Sequence, residues 1–257
     1  MIKKSFIIVL TRIRILPFVR RFKELITSYS AESIQRQSEL KSFYAGFINT
    51  GDLCFDVGAN MGNRTRIFLR LGARVVCIEP QEQCFRQLSK KYKTSTKVIL
   101  VQQAVGEKAG FADLSICDQA PTISTMSVRW KTEGRFSTDY QWERSERVEV
   151  STLDELITQY GLPKFCKIDV EGFEHSVLMG LSQSIPNLSF EYMSEFFDDT
   201  KRCIHQLSSI AEYRYNCTKG ESMEFILPDW VTAEEFCKVI DSPGFGVNWG
   251  DVYARLE

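Results

Sequence analysis

From residue 53 onward, short apolar runs alternate with segments whose apolar residues recur at helical spacing. The strand-like runs are residues 53–57, 75–79, 98–103, 111–116, 147–150, 165–170, 188–193, 212–217 and 250–256. Helical segments are expected at 64–71, 82–92 and 174–181, and another begins at Thr152, where Glu155 completes a capping box. This rhythm of strand, helix and strand predicts an α/β fold with a parallel sheet and right-handed crossovers.

The N-terminal part of the chain has a different pattern. Residues 30–48 predict a helix, because apolar residues recur at helical spacing and Gly51 follows as a stop signal. We therefore expect a helical extension over residues 1–50 and one α/β domain over residues 51–257. Residues 1–23 carry Lys and Arg but no acidic residue, and their apolar run is too short to span a bilayer. They predict either a helix packed on the domain or a peripheral contact with an anionic membrane surface.

One stretch of about thirty residues, between the runs at 111–116 and 147–150, has no clear period. It interleaves aromatic with basic side chains, namely Trp130, Phe136, Tyr140 and Trp142 with Arg129, Lys131, Arg135 and Arg144. We interpret residues 117–145 as a substrate loop or lid, whose aromatic rings stack on the ligand while its arginines bind an anionic group. The alternative is a surface excursion whose aromatic side chains plug the edge of the sheet.

Composition and charge narrow the class of protein. The chain has 257 residues, of which 44% are hydrophobic and 25% charged, as expected for a globular protein with a sizeable core. The formal net charge is −1, so no global basic field attracts nucleic acid. The 8 cysteines are scattered, without a CxxC pair. They predict free thiols in a reducing cytoplasm rather than a disulfide framework or a zinc site.

The segment FDVGANMGNRT, residues 55–65, comes directly off an apolar strand and opens a helix. Gly58 and Gly62 allow a sharp turn and a close approach of a ligand to the main chain. The spacing is neither G-x-G-x-x-G nor the Gly-Lys-Ser/Thr of a Walker loop, which disfavours a dinucleotide or a nucleoside triphosphate. Asp56 precedes the turn, where its carboxylate would repel a pyrophosphate but suit an ammonium group.

Glu79 ends the next strand and is followed by Pro80. An acidic residue about twenty positions beyond a glycine turn, at the carboxyl edge of an α/β sheet, normally binds ribose hydroxyls. Asp56, the glycine turn and Glu79 together therefore suit a nucleoside that carries a cationic group. S-adenosylmethionine, which has an ammonium and a sulfonium, fits better than NAD.

A third cluster, KIDVEGFE at residues 167–174, lies at the end of a later strand. Asp169 and Glu171 are two apart, so both are expected on one side of the strand end. His175 begins the next helix and is either a third catalytic candidate or an ordinary helix-surface histidine. Together with Glu191, the two acidic residues would suit Mg²⁺ if they converge, but we expect no metal requirement.

These segments resemble the FkbM-type methyltransferase family in order and spacing. The resemblance extends from about residue 51 to residue 193 through FDVGANMGNRT, VVCIEP, QQAVGEKAG, STLDELI, KIDVEGFEHSVLMG and LSFEYM. It implies a Rossmann-like class I methyltransferase fold with a mostly parallel seven-stranded sheet and helices on both faces. It also implies transfer of a methyl group from S-adenosylmethionine to a hydroxyl of a sugar, glycan or natural product.

The resemblance further implies the roles of individual residues. The cofactor-binding residues would be Asp56, Gly58, Ala59, Asn60, Gly62 and Thr65 in the turn, Glu79 and Pro80 at the ribose, Gln103 and Ala104 at the adenine, and Asp169. Asp169 and Glu171 would lie near the reactive methyl. We expect an O-methyltransferase with a small-molecule or glycan acceptor. The alternatives are a non-catalytic cofactor-binding or scaffold protein and, less favoured by the glycine spacing, a nicotinamide-dependent oxidoreductase.

Overall fold

A computed structural model describes residues 31–257, and the side chains from residue 34 onward. The chain divides into two units between Ser42 and Phe43. The helix predicted over 30–48 is helix α1, Ala31–Tyr44. The basic segment 1–23 and its membrane contact lie outside the described residues, and the division after residue 50 stays a prediction. No helix among residues 31–257 has the length and hydropathy that a membrane span requires.

The order of elements alternates strands and helices, as the sequence predicts. The strands are β1 Leu53–Val57, β2 Arg74–Ile78, β3 Val98–Val101, β4 Ala104–Val105, β5 Gly110–Ile116, β6 Arg144–Ser151, β7 Phe165–Ile168, β8 Asn187–Met193, β9 Tyr213–Cys217 and β10 Trp249–Leu256. The helices after α1 are α2 Asn63–Arg70, α3 Glu82–Tyr92, α4 Val128–Glu133, α5 Leu153–Tyr160, α6 Glu174–Met179, α7 Phe197–Ile210 and α8 Ala233–Ile240.

Seven strands form one sheet in the order β3-β2-β1-β7-β8-β10-β9. In this sheet, the neighbouring strands β3, β2, β1, β7 and β8 pair in parallel. Strand β10 is antiparallel to both of its neighbours, β8 and β9. The prediction of a mostly parallel seven-stranded sheet is confirmed. Strand order turns back on itself between β1 and β7, and ligands of open α/β sheets bind in the crevice that such a switch point opens at the carboxyl edge.

The central strands are buried along their whole length, which explains their uninterrupted apolar runs. Every residue of β1 and of β7 is buried. Parallel strands covered by helices on both faces need apolar side chains on both sides. The core includes Phe55, Ile168, Leu178 and Phe190. All eight cysteines are free thiols and all but Cys237 are buried, in agreement with the prediction.

A second sheet of three strands, in the order β4-β6-β5, differs from the predicted elements. The predicted strand 98–103 ends at Val101, and Ala104–Val105 pairs instead with β6. The chain thus leaves the main sheet and immediately joins the small one. The supposedly irregular stretch between β5 and β6 contains a 3₁₀ turn, Pro121–Ile123, and helix α4. Two helices of the C-terminal part, α7 and α8, were also missing from the prediction.

The capping box of helix α5 provides a test of local stability. The Thr152 hydroxyl accepts a hydrogen bond from the N–H of Glu155 at 3.1 Å, and the Glu155 carboxylate accepts one from the N–H of Thr152 at 3.1 Å. We expect Thr152→Ala to lower the free energy of unfolding in urea by about 1 kcal/mol, because a helix N-terminal donor loses its acceptor. Thr158→Ala, on the exposed side of the same helix, is the control and should change it by less than about 0.5 kcal/mol. Equal losses would contradict the capping role.

Candidate functional site

A pocket of about 640 Å³ opens at the carboxyl edge of the main sheet. It lies over the ends of β1, β2, β7 and β8 and reaches the small sheet. The structure places most of the predicted site residues in its lining: Asp56, Gly58, Ala59, Asn60, Glu79, Pro80, Gln103, Ala104, Asp169 and Glu171. It does not place Gly62, Thr65 or His175 there.

The turn after β1 requires glycine because two strand ends approach each other closely. Gly58 has a φ of +77°, and a Cβ at this position would lie 1.8 Å from the carbonyl oxygen of Asp169. The N–H groups of Gly58 and Ala59 both donate to the carbonyl of Ile78, each at 3.0 Å. The turn is therefore tied to β2 and packed directly on the end of β7. This leaves the backbone at residues 58–60 open to the pocket.

Asp56 holds the far end of this turn. Its Oδ2 atom accepts hydrogen bonds from both the N–H and the hydroxyl of Thr65, at the start of helix α2. Burial raises the pKa of Asp56, although the two bonds from Thr65 oppose this shift. Thr65 is fully buried behind the pocket wall, and Gly62 caps helix α2 against Leu88. Thr65 and Gly62 shape the turn from behind and are not part of the pocket lining, so the structure does not bring these two predicted cofactor residues to the pocket.

Glu79 is oriented by the main chain on both sides. Its Oε2 atom accepts the N–H of Asn60 at 2.7 Å, and its Oε1 atom accepts the N–H of Gln81 at 2.8 Å. Only 5% of the residue is exposed, and burial raises its pKa to about 7. A carboxylate has about four acceptor sites, so about two remain after these bonds. Glu79 can therefore accept hydrogen bonds from a vicinal diol while it fixes the turn.

Three carboxylates converge on the other side of β1. One oxygen each of Asp169, Glu171 and Glu191 lies within 4.8 Å of the other two. Asp169 follows the last residue of β7, whereas Glu191 lies within β8. Asp169 and Glu171 do lie together at the end of β7, as predicted, but the alternation of a strand is not the reason, because β7 ends at Ile168. The chain turns after Asp169, and this turn brings Glu171 back beside it.

The turn that carries Glu171 is held in place by residues of the stretch between β5 and β6. Glu171 has a φ of +55°, a conformation that non-glycine residues adopt rarely. Its carbonyl accepts a hydrogen bond from the Thr125 hydroxyl at 2.7 Å. A Cβ on the following Gly172 would lie 2.9 Å from Trp130. The stretch between β5 and β6 therefore maintains the strained turn, as strained residues at functional sites require.

The balance of charge around these carboxylates is uneven. Lys167, buried beneath them, donates to Asp169 at 3.2 Å and to Asp251 at 2.9 Å. Burial acts to lower the pKa of Lys167, but the two carboxylates outweigh it and raise the pKa above its ordinary value. Burial, and next the charge of neighbouring carboxylates, raises the pKa of Glu171 and of Glu191 well above the usual range. Such a cluster can take a proton from a bound hydroxyl, and its geometry could also hold a divalent cation.

Residues 117–145 form a wall of the pocket, to which Arg135 and Phe136 of the predicted basic and aromatic residues contribute. Trp130 is buried against Met193 and Phe196, so the prediction that it stacks on a ligand is wrong. The predicted anion-binding arginines are paired with acidic side chains: Arg129 with Asp198 and Asp199, Arg135 with Glu195, and Arg144 with Asp118 and Glu146. Phe136 and Met126 do line the pocket.

Several residues of the pocket escaped the sequence analysis. The Gln81 side chain donates to the Ser124 hydroxyl at 2.8 Å, which ties the wall to the turn that carries Glu79. Its position directly after Glu-Pro could have suggested Gln81. Ser124 and Trp249 reach the pocket from distant parts of the chain and had no local signal. His175 lines a separate cavity of about 30 Å³ on the other side of Glu191, so the structure does not bring it to the pocket as a catalytic group.

Comparison with known proteins identifies one family. A family model described as the methyltransferase FkbM domain matches residues 56–217. No curated protein matches the chain. The solved structures that match share little sequence. A TehB-like SAM-dependent methyltransferase from Corynebacterium glutamicum is 7% identical with a TM-score of 0.47, over 96% of this chain and 100% of its own. A precorrin-6y C5,15-methyltransferase from Geobacter metallireducens is 11% identical with a TM-score of 0.43, over 89% of this chain and 90% of its own.

The close approach at Gly58 can be tested by adding one methyl group. Gly58→Ala should lower the free energy of unfolding by about 2–4 kcal/mol, because the methyl group overlaps the Asp169 carbonyl and the backbone has a positive φ. Gly244→Ala, where the added Cβ meets no atom within 4 Å, is the control and should stay within about 0.5 kcal/mol. Urea denaturation measures both. A Gly58→Ala protein as stable as the control would show that the strand ends are not packed as described.

Proposed function

This chain belongs to the FkbM methyltransferase family, and we propose that it transfers a methyl group to a hydroxyl of a sugar, glycan or other natural product. The chain has the Rossmann-like class I methyltransferase fold, and S-adenosylmethionine is its methyl donor. We propose a hydroxyl as the acceptor because three carboxylates, Asp169, Glu171 and Glu191, converge in the pocket. An alcohol must lose a proton during transfer, and a carboxylate positioned beside it can accept that proton.

The pocket fits the donor. Glu79 offers its free acceptor sites to the ribose hydroxyls, and Gln103 and Ala104 lie where the adenine contacts are expected. Residues 58–60 line the pocket, so the donor would lie directly against this turn. The volume of about 640 Å³ lies within the range of about 300–1,000 Å³ typical of ligand pockets. S-adenosylmethionine supplies a methyl group made electrophilic by its sulfonium.

The protein's own residues position and deprotonate the acceptor. The order β2-β1-β7-β8 separates Glu79 from the three carboxylates, so ribose and acceptor would occupy opposite sides of the turn after β1. Holding the acceptor oxygen in line with the methyl group can lower the barrier by about 7–11 kcal/mol. The carboxylates also attract the positive charge of the donor. The paired state of Arg129, Arg135 and Arg144 favours a neutral acceptor over an anionic one.

The acceptor is proposed to be a small molecule or glycan rather than nucleic acid, because the formal net charge is −1. The protein is proposed to act in the cytoplasm. Peripheral membrane contact through residues 1–23 would matter for a lipid-linked glycan.

The acceptor class is tested with S-adenosylmethionine that carries a ¹³C-labelled methyl group. The purified chain is incubated with sugars, glycans and hydroxylated natural products, and the products are analysed by NMR and mass spectrometry. We expect a methyl ether. A product methylated on nitrogen, carbon or sulfur would contradict the proposal. Binding of the donor without turnover on any acceptor would favour the non-catalytic alternative.

The role of Glu79 is tested by calorimetry with S-adenosylhomocysteine. We expect Glu79→Ala to weaken binding by about 1.5–3 kcal/mol, because two ribose hydroxyls lose a charged acceptor. Glu82→Ala is the control, since Glu82 lies three residues away at the exposed start of helix α3 and pairs with Arg86. It should bind like the wild type. Unchanged affinity in the Glu79→Ala protein would mean that the ribose assignment is wrong.

A further inference from the structure

A second, much smaller cavity is lined by the end of β8 and by residues of helices α4, α6 and α7. It has a volume of about 30 Å³, and Trp130, Glu174 and His175 contribute to its lining. Glu191 lines both this cavity and the main pocket. Among residues 34–257, it is the titratable side chain that the two cavities share. Glu191 therefore separates the place where the acceptor would bind from a chamber behind it.

Two residues that line this chamber each have a buried polar atom without a hydrogen-bond partner. One is Nε1 of Trp130, which can only donate, and the other is Oε2 of Glu191, which accepts when the carboxylate is ionised. Buried polar atoms are nearly always paired, with protein or with ordered water. A cavity of about 10–15 Å³ is the minimum for one water, and the chamber exceeds this size. One unpaired donor and one unpaired acceptor on residues that line a chamber of this size match the requirements of one buried water molecule.

We propose that Glu191 is the catalytic base of methyl transfer and that a buried water, bound to Nε1 of Trp130 and Oε2 of Glu191, carries the proton away from it. This inference rests on the proposed function. The acceptor oxygen forms a bond to the methyl carbon as the carbon–sulfur bond breaks and its electron pair moves to sulfur. The hydroxyl proton moves to the Glu191 carboxylate. Glu191 then passes a proton to the buried water and regains its negative charge. The net products are a methyl ether, S-adenosylhomocysteine and one proton.

The neighbouring carboxylates are less suited to this role. The Lys167 ammonium donates to Oδ2 of Asp169, so this carboxylate is already engaged in an ion pair. Glu171 lines the main pocket but not the chamber, so a proton on Glu171 has no direct route to the water. On the far side of the chamber, Glu174 is buried while His175 is partly exposed. These two side chains would lead the proton from the water to solvent.

Steady-state kinetics with the sugars, glycans and hydroxylated natural products named above test whether Glu191 is the catalytic base. We expect Glu191→Gln to lower kcat by about 10²–10⁴-fold, the usual contribution of a general base, with the KM of the acceptor and the affinity for S-adenosylhomocysteine within about twofold of wild type. Glu191→Asp should recover part of the lost kcat. Wild-type kcat in the Glu191→Gln protein would overturn the proposal and leave the proposed function intact. Absence of any O-methylation by the wild type would overturn both.

The water is tested by crystallography and by a paired substitution. A high-resolution crystal structure with S-adenosylhomocysteine should contain one ordered water bonded to both Trp130 and Glu191. Trp130→Phe removes the donor but keeps a ring, so the water should disappear and kcat should fall by about tenfold at unchanged KM. Trp230→Phe, in an aromatic cluster outside both cavities, is the control and should keep wild-type kinetics. An empty chamber, or Mn²⁺ coordinated by Asp169, Glu171 and Glu191 in a soaked crystal, would overturn the proposal.

Discussion

The buried ammonium of Lys167 is the constraint on which the rest of the site depends. An unpaired charge in the interior is strongly destabilising, so Lys167 requires the carboxylates of Asp169 and Asp251 close by. Lys167 lies opposite Asp56 in the pairing of β1 with β7, and Asp251 lies opposite Glu191 in the pairing of β8 with β10. This cation thus links β7, which carries it, to β10, which carries Asp251, across the intervening strand β8. The carboxylates of the pocket gather around it.

The acidic residues at this edge of the sheet combine structural and chemical roles. Asp56 anchors the start of helix α2, and Glu79 holds the turn at Asn60 through main-chain hydrogen bonds. The ligand-binding atoms are therefore oriented before any ligand arrives, which reduces the entropy lost on binding. Glu171 and Glu191 differ, because burial and the neighbouring carboxylates raise their pKa values well above the usual range, and the charge of Lys167 offsets this shift only in part. Under the proposed function, Glu79 would bind the donor and Glu191 would accept the proton.

The stretch between β5 and β6 contributes through fixed contacts. The Thr125 hydroxyl donates a hydrogen bond to the carbonyl of Glu171, and Trp130 packs on Gly172. The Ser124 hydroxyl accepts a hydrogen bond from the Gln81 side chain. The same stretch therefore touches both halves of the site. Its arginines stabilise it against the segment that follows β8, through Glu195 and Asp198. Phe136 and Met126 of this wall line the pocket, whereas Trp130, expected there from the sequence, is buried.

The sequence by itself determined the parts of this protein that depend on local interactions. The apolar runs identified the central strands, and the glycine turn and Glu79 could be recognised because a strand, a turn and the next strand end lie within about 25 residues. Tertiary structure alone decided the convergence of Glu191 with Asp169 and Glu171, the burial of Trp130 and the positive φ of Glu171. These features depend on contacts between distant segments. The physical reason is that side-chain periodicity reports which face of an element is buried, but not which neighbour will cover it.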